Sequence, residues 1–262
     1  MANSIKPETP APAKSSILGV GISLVDVASA ADTVMAWCRE KAQVYVSVSN
    51  VHHVIEAQDQ PDFKAVLNGA DMTVPDGAPL SWVLRRRGHQ RVRQVTGRDL
   101  MLAVSARLAS SGGSAYYYGG DEGVADQLAT AMTKRFPGLK TAGAWSPPFR
   151  PLTDDEEARV VAQINASGAD VVWVGIGTPK QEFWMRDFRD RLDAPVLIAV
   201  GAVFDFFTGR LRAAPHWVQR AYLEWLFRLI MEPRRLWRRY ATTVPRFIWL
   251  VTLESLRPEK HF

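Results

Sequence analysis

The 262-residue chain has a single cysteine, Cys38. One thiol cannot close an internal disulfide or build a multi-cysteine zinc site, so a disulfide-stapled scaffold is excluded and cytosolic chemistry is allowed. No run approaches the roughly 18 consecutive apolar residues that a membrane-spanning helix needs. The segment Met1 to Lys14 carries Pro7, Pro10 and Pro12 with Lys6 and Lys14, but it lacks the apolar centre of a signal peptide. Residues 1–16 therefore read as a disordered leader. Internal repeats are missing, and low complexity is confined to that leader. The five histidines show no metal-ligand spacing. His52 and His53 are adjacent, point to different faces and read as helix-start residues. No Ser/His/Asp or Cys/His arrangement stands out, and Cys38, beside Trp37 in a predicted helix, reads as a core thiol.

What is present is a globular composition, 47% hydrophobic and 23% charged. That balance can bury the core of one large α/β domain or two small ones. Apolar, β-rich runs at Val44–Val48, Met72–Val74, Ala115–Tyr118, Val171–Val174 and Val196–Val200 predict strands, with Thr141–Ala144 as a weaker one. Helical patterns fall between them, near Ala28–Glu40, His53–Leu67, Gly97–Ala109, Gly123–Arg135, Asp154–Asn165 and Pro179–Arg191. Strands separated by helices of this length imply βαβ units, an α/β fold and a mainly parallel sheet.

The last part of the chain changes character. From Phe206 onward there are eleven Lys/Arg and four acids, a charge of +7, while the whole chain carries +5. Four of the nine tryptophans (Trp217, Trp225, Trp237, Trp249) fall there too. Pro215 to Tyr240 reads as one or two helices, with an apolar stripe at Leu223, Leu226, Phe227 and Ile230 and a kink or a break expected at Pro233. We therefore divide the chain into a catalytic α/β core, 17–205, and a C-terminal helical appendage, 206–262. A basic helix edged with tryptophan suits an anionic membrane surface. Nucleic acid, the other anionic candidate, has no binding motif to support it.

In a parallel sheet, ligands bind beyond the carboxyl ends of the strands. The residues that follow the predicted strands are Ser49-Asn50, Pro75-Asp76-Gly77, Gly119-Gly120, Gly175 through Gln181, and Gly201 through Asp205. Gly119-Gly120 and Gly175-Ile-Gly177-Thr178-Pro179 each open a helix, and exposed amides at a helix start bind phosphate. Lys180 stands where a dinucleotide fingerprint would place its third glycine, which weakens an NAD reading. Asp76, in a turn directly after an apolar strand, is the candidate general base, because partial burial would raise its pKa. A turn aspartate that only caps the helix at Pro79 is the bland alternative. Asp205, between two phenylalanines, reads at least as well as a structural residue. The chain has no Asp-x-Asp pair, with which many nucleotide-sugar enzymes hold a metal. A leaving diphosphate would then rely on guanidinium groups, lysines and helix amides.

These motifs converge. Val48-Ser49-Asn50, Asp71 through Gly77, Val95-Thr96-Gly97-Arg98-Asp99-Leu100, Tyr118-Gly119-Gly120, Gly175 through Glu182, Leu223 through Arg228 and Glu232-Pro233-Arg234-Arg235 resemble the WecG/TagA/CpsF glycosyltransferases of bacterial surface polysaccharide assembly. The resemblance runs from about Ile17 to Arg239. It implies a Rossmann-like α/β fold and an inverting, metal-independent transferase that uses no cofactor. Such an enzyme moves a sugar from a UDP-sugar to a polyprenyl-diphosphate-linked saccharide, as a peripheral protein on the cytoplasmic face of the inner membrane. Asp76 matches the base. Asn50 and Gln181 match pocket residues, and Ser49, Gly119, Gly120, Gly177, Thr178 and Glu182 are expected to join them in binding substrate. Arg228, Arg234, Arg235 and Arg238 match basic appendage positions that meet the acceptor diphosphate or the membrane. Two positions depart from the family. Val48 stands where a threonine is frequent, leaving Ser47 or Ser49 to supply a hydroxyl. Gln94 stands where an arginine is frequent, with Arg93 next door as its replacement. Within the family the chain looks most like the exopolysaccharide glucosyltransferases of the GumM type, which implies a glucose donor and a β-linkage. UDP-N-acetylmannosamine or its uronic acid is the alternative donor, and a non-catalytic, membrane-associated nucleotide-sugar binder is the alternative of another class.

Overall fold

The computed structural model describes residues 7–211, 214–215, 218 and 224–256, except the side chain of residue 235. Six strands form one sheet: β3 (Val44–Ser49), β4 (Met72–Pro75), β5 (Ser114–Gly119), β6 (Lys140–Trp145), β7 (Val171–Gly175) and β8 (Val196–Ala199). Their order across the sheet is β4-β3-β8-β7-β5-β6, and every pairing is parallel. This is the expected Rossmann-like α/β architecture. All five stronger strand predictions hold, and the weaker Thr141–Ala144 lies inside β6.

Side chains alternate between the two faces of the sheet, as the pleat requires. Tyr117, Val171 and Trp173 enter one core with helices α1 (Val27–Glu40), α5 (Gly97–Ser111) and α6 (Val124–Arg135). Tyr116, Tyr118, Val172 and Val174 enter the other with α7 (Asp154–Ser167) and α8 (Lys180–Phe188). A strand buried on both faces has to be apolar throughout, which is why these runs lack a polar alternation. Trp37 and Cys38 are both buried, and burial pushes the Cys38 thiol up to about 12.

Several boundaries differ from the sequence reading. The stretch His53–Leu67 is two helices, α2 (Val51–Asp59) and α3 (Pro61–Gly69), because Pro61 can start a helix but cannot continue one. Helix α4 (Ala78–Arg86) follows Asp76, with Gly77 as its N-cap. Residues 14–16, assigned to a disordered leader, belong instead to a hairpin of β1 (Lys14–Ile17) with β2 (Val20–Ser23). Ile17, Val20 and Ile22 are fully buried in a third core with α2, α3 and α4, which is what holds the hairpin down. Thr9, also in that segment, hydrogen-bonds the Glu40 carboxylate. Residues 1–6 lie outside the described residues.

After α9 (Val203–Phe207) come α10 (Glu224–Met231) and α11 (Pro233–Leu256), separated at Pro233 as expected. Leu223 of the predicted stripe and Trp217 lie outside the described residues. Helix α11 continues well past Tyr240. Phe247, Leu250 and Val251 join the third core, and Arg246 makes a bidentate pair with Asp59 of α2 at 2.5 and 2.6 Å. The appendage is thus fastened back onto the core.

Candidate active site

The strand register places the candidate residues on one edge. Ser49 is level with Pro75, Gly119 with Gly175, and Val174 with Ala199. Above this edge lies a cavity of about 650 Å³. Its floor is made by Val48 of β3 and Asn50 after it, Asp76 and Gly77 after β4, Gly177 and Thr178 after β7, and Val200 and Gly201 after β8. Thr96, Gly97 and Arg98 of the α5 start and Gln181 of α8 add to the wall. Helices α10 and α11 roof it with Glu224, Trp225, Arg228, Leu236, Arg239 and Tyr240.

Asp76 owes its position to the sheet. Its N–H donates to the Ser49 carbonyl at 2.8 Å, extending the β3–β4 ladder by one step. Gly77 then turns the chain at φ +98°, a conformation that suits only glycine and that lets α4 begin at once. Burial pushes the Asp76 carboxyl up to about 6. His53, the Asn50 amide and Arg228 pull the other way, and Glu224 adds a like-charge push upward. A carboxylate near 6 is ionised at neutral pH and still basic enough to take a proton. Glu224 is itself raised by burial, against the pull of Arg98, whose guanidinium lies 4.0 Å away.

Asn50 is the N-cap of α2, and its side-chain oxygen accepts the His52 N–H at 3.0 Å. That leaves its amide NH₂ for Asp76. Under the cavity floor lies a buried polar network. His53 Nε2 is 2.9 Å from Thr178 Oγ1 and 3.2 Å from Glu182 Oε1. Gln181 Nε2 donates to Glu182 Oε1 at 2.8 Å, and Gln181 Oε1 accepts the Gly201 N–H at 3.1 Å. These bonds tie the ends of β3, β7 and β8 together. His52 lines the cavity, and burial beside Arg239 holds it down to about 4, so it is neutral at pH 7.

The structure gathers Asp76, Asn50, Gly177, Thr178, Gln181 and Arg228 around one space. Other expected residues lie elsewhere. Glu182 is fully buried beneath the cavity. Ser49 is fully buried too, and its hydroxyl pairs with Ser47 at 2.9 Å, so neither serine replaces the missing threonine hydroxyl. Val48 itself occupies the cavity side of the strand. Arg93 is exposed and donates to the carbonyls of Gln90 and Val92, whereas Gln94 and Arg98 line the cavity. Gly119 and Gly120 serve packing. The Gly120 N–H bonds Gly175 O at 3.0 Å, and a Cβ on Gly119 would stand 2.5 Å from that same oxygen. Arg234 and Arg238 are exposed and outside the cavity, and the side chain of Arg235 lies outside the described residues. Asp205 sits on α9 and does not line the cavity. His53 was read only as a helix-start residue, and Arg239 and Tyr240 were assigned to no site, since only the folded appendage brings those two to this edge. Among the described residues no three His, Cys, Asp or Glu side chains cluster as metal ligands would.

A half-buried carboxylate, Asp76, on the carboxyl edge of a parallel sheet and roofed by arginine-bearing helices agrees with the resemblance. The family model for "Glycosyl transferase WecG/TagA/CpsF family" matches residues 15–261. The chain belongs to the WecG/TagA/CpsF glycosyltransferases. As a member of that family it is an enzyme, a glycosyltransferase, and the match spans both core and appendage. One relative is the N-acetylglucosaminyldiphosphoundecaprenol N-acetyl-beta-D-mannosaminyltransferase of Bacillus spizizenii. It is 30% identical over 207 residues, which cover 79% of this chain and 78% of the relative.

Proposed function

We propose that this glycosyltransferase moves N-acetylmannosamine from its UDP-sugar, with inversion, to a saccharide carried on a polyprenyl diphosphate. The observation that carries the reading is the Asp76 carboxyl, raised to about 6 and held against Asn50 on the floor of the cavity. Asp76 takes the proton from the acceptor hydroxyl as that oxygen attacks the anomeric carbon. The bond from that carbon to the diphosphate oxygen breaks, and UDP leaves with the electron pair. The chain has no Asp-x-Asp pair. The reading therefore gives the charge of the leaving group to Arg228, Arg239 and the amides of the Gly177–Thr178 turn.

The glucose donor expected from the exopolysaccharide branch finds no support, and N-acetylmannosamine takes its place. The relative's name specifies transfer of N-acetylmannosamine to an N-acetylglucosaminyl diphosphoundecaprenol. A panel of radiolabelled UDP-sugars, offered with synthetic prenyl-diphosphate N-acetylglucosamine and EDTA, tests this. Transfer of N-acetylmannosamine is the expected result, and transfer of glucose in its place would overturn the donor assignment.

The same reading places the enzyme on the cytoplasmic face of the membrane as a peripheral protein. No described helix is long and apolar enough to cross a membrane. The outer side of α11 leaves Trp237, Ile248, Trp249, Leu253 and Leu256 exposed, with Arg234 and Arg238 on the same helix. Helix α4 packs in the same core as α11, and Arg87 at its end is ion-paired with Glu254. Between Asp76 and Asp99 the chain carries six arginines and no acid. Arg86 and Arg91 are exposed there, and Arg86 lies over the exposed Trp82 ring at 4.9 Å. Apolar side chains edged by tryptophan and arginine suit an anionic bilayer surface.

A further inference from the structure

We propose that His53 and Glu182 form a buried positioning pair, which fixes the side chain of Asn50 and through it the carboxylate of Asp76. This rests on the reading of Asp76 as the base. Glu182 lies beneath the cavity and does not line it, whereas His53 is among the lining residues but spends its ring nitrogens on Asn50, Thr178 and Glu182. Glu182 acts on Asp76 through His53, and His53 does so through Asn50 and by its own charge.

The hydrogen-bond logic is restrictive. His53 is 4% exposed and Glu182 is 0% exposed, so neither can turn to water for a partner. His53 Nδ1 stands 3.3 Å from the Asn50 backbone nitrogen and 3.1 Å from Asn50 Oδ1. In its neutral form, with one proton, the imidazole can accept from the first or donate to the second. Glu182, an acceptor-only carboxylate beside Nε2, draws that proton to Nε2. Nδ1 is then bare and accepts the Asn50 N–H. Asn50 Oδ1 is left to the His52 N–H at 3.0 Å, and the Asn50 NH₂ is turned to Asp76. With the other tautomer, His53 would compete for Asn50 Oδ1 and leave the Asn50 N–H without its acceptor. Gln181 holds Glu182 in place at 2.8 Å and is itself held by Gly201. Phe63 stacks on the imidazole with ring centroids 6.2 Å apart, which fixes its plane.

Stability does not account for the pair. Glu182 Oε2 is buried with no hydrogen-bond partner among the described residues. A buried acid with an unsatisfied oxygen costs the fold more than a well-packed apolar side chain would. Its place, one hydrogen bond from the histidine that meets Asn50, gives it a task in the reaction.

The test is Glu182→Gln, which keeps shape and removes the charge that selects the tautomer. His53→Asn is a second variant in case the first folds poorly. Each is assayed by kcat and KM per folded molecule and by thermal unfolding, alone and combined with Asp76→Asn. Positioning predicts that kcat falls about ten- to a hundredfold, the size of loss usual when the partner of a reacting group's ligand is removed. KM for the donor stays within about twofold, Tm does not fall, and the loss vanishes in the Asp76→Asn background because both changes act on one group. Wild-type kcat in both single variants, or an equal further loss on top of Asp76→Asn, would overturn the pair's role. Full activity of Asp76→Asn alone would instead remove the base on which the pair acts, so the two failures are told apart.

Discussion

Asp76 and Ser49 are joined by a 2.8 Å hydrogen bond from the Asp76 N–H to the Ser49 carbonyl. This bond continues the parallel ladder from Ser49, the last residue of β3, to the residue just past β4. It sets Asp76 beside Asn50, the next residue after Ser49, so the proposed base inherits the rigidity of the sheet.

The raised pKa of Asp76 has a stability consequence. Burial pushes its carboxyl up from the ordinary 3.8 to about 6 in the folded chain. The folded state therefore favours the protonated form, and stability falls as pH rises from about 4 to about 6. Asp76→Asn removes that cost, on the order of 1–3 kcal/mol for a shift of this size. Thermal unfolding should show the variant with a higher Tm than wild type near pH 8 and no difference below about pH 4. A lower Tm at pH 8 would contradict the burial of a charged carboxylate.

Arg228 and Arg93 should separate cleanly. Arg228 lines the cavity roof, stacked at 5.7 Å over Phe206, whereas Arg93 is exposed and bonded to its own loop. Arg228→Gln should raise KM for a diphosphate substrate at least tenfold, since a charge-assisted contact is lost. Arg93→Gln should leave KM and kcat within about twofold. Steady-state kinetics with the same donor and acceptor checks both, and the reverse order would restore Arg93 as the replacement for the family arginine.

Gly119 should act on stability rather than on substrate binding. Its φ is +143°, and a Cβ would lie 2.5 Å from the Gly175 carbonyl oxygen. Gly119→Ala should lower unfolding free energy by about 1–3 kcal/mol through backbone strain and clash. Chemical denaturation measures it. Unchanged stability with a raised KM would mean that this glycine meets substrate after all.

The membrane reading is tested by sedimentation with phosphatidylcholine vesicles, with and without phosphatidylglycerol. Wild type should bind the anionic vesicles and lose them in high salt. Ile248→Ser with Trp249→Ser should weaken binding by lost apolar area. Arg86→Gln with Arg91→Gln should weaken it roughly fivefold per arginine, on anionic vesicles only. Equal binding of wild type to neutral and anionic vesicles would contradict an electrostatic contact.

Much of this was legible in the residues. Strands such as Val171–Gly175 are buried on both faces and so announce themselves as apolar runs, and the parallel sheet then aligns the residues that follow them. Asp76, Asn50 and Gln181 were found that way. Ser49 was misplaced because successive strand residues point to opposite faces, and Glu182 because one step along a helix turns the side chain by about 100°, which a motif does not record. Arg239 and Tyr240 were missed because their place depends on how α10 and α11 fold over the edge. The β1–β2 hairpin was missed because its burial comes from α2, α3 and α4, which are distant in sequence.

The most direct measurement is transfer of radiolabelled N-acetylmannosamine from its UDP-sugar to prenyl-diphosphate N-acetylglucosamine, by wild type and Asp76→Asn, from pH 5 to pH 8. Wild-type kcat/KM should fall as pH drops through about 6, where the Asp76 carboxyl protonates. The variant should be about 10²–10⁴-fold slower, without that acid limb. An Asp76→Asn enzyme that transfers the sugar at the wild-type rate would contradict the account.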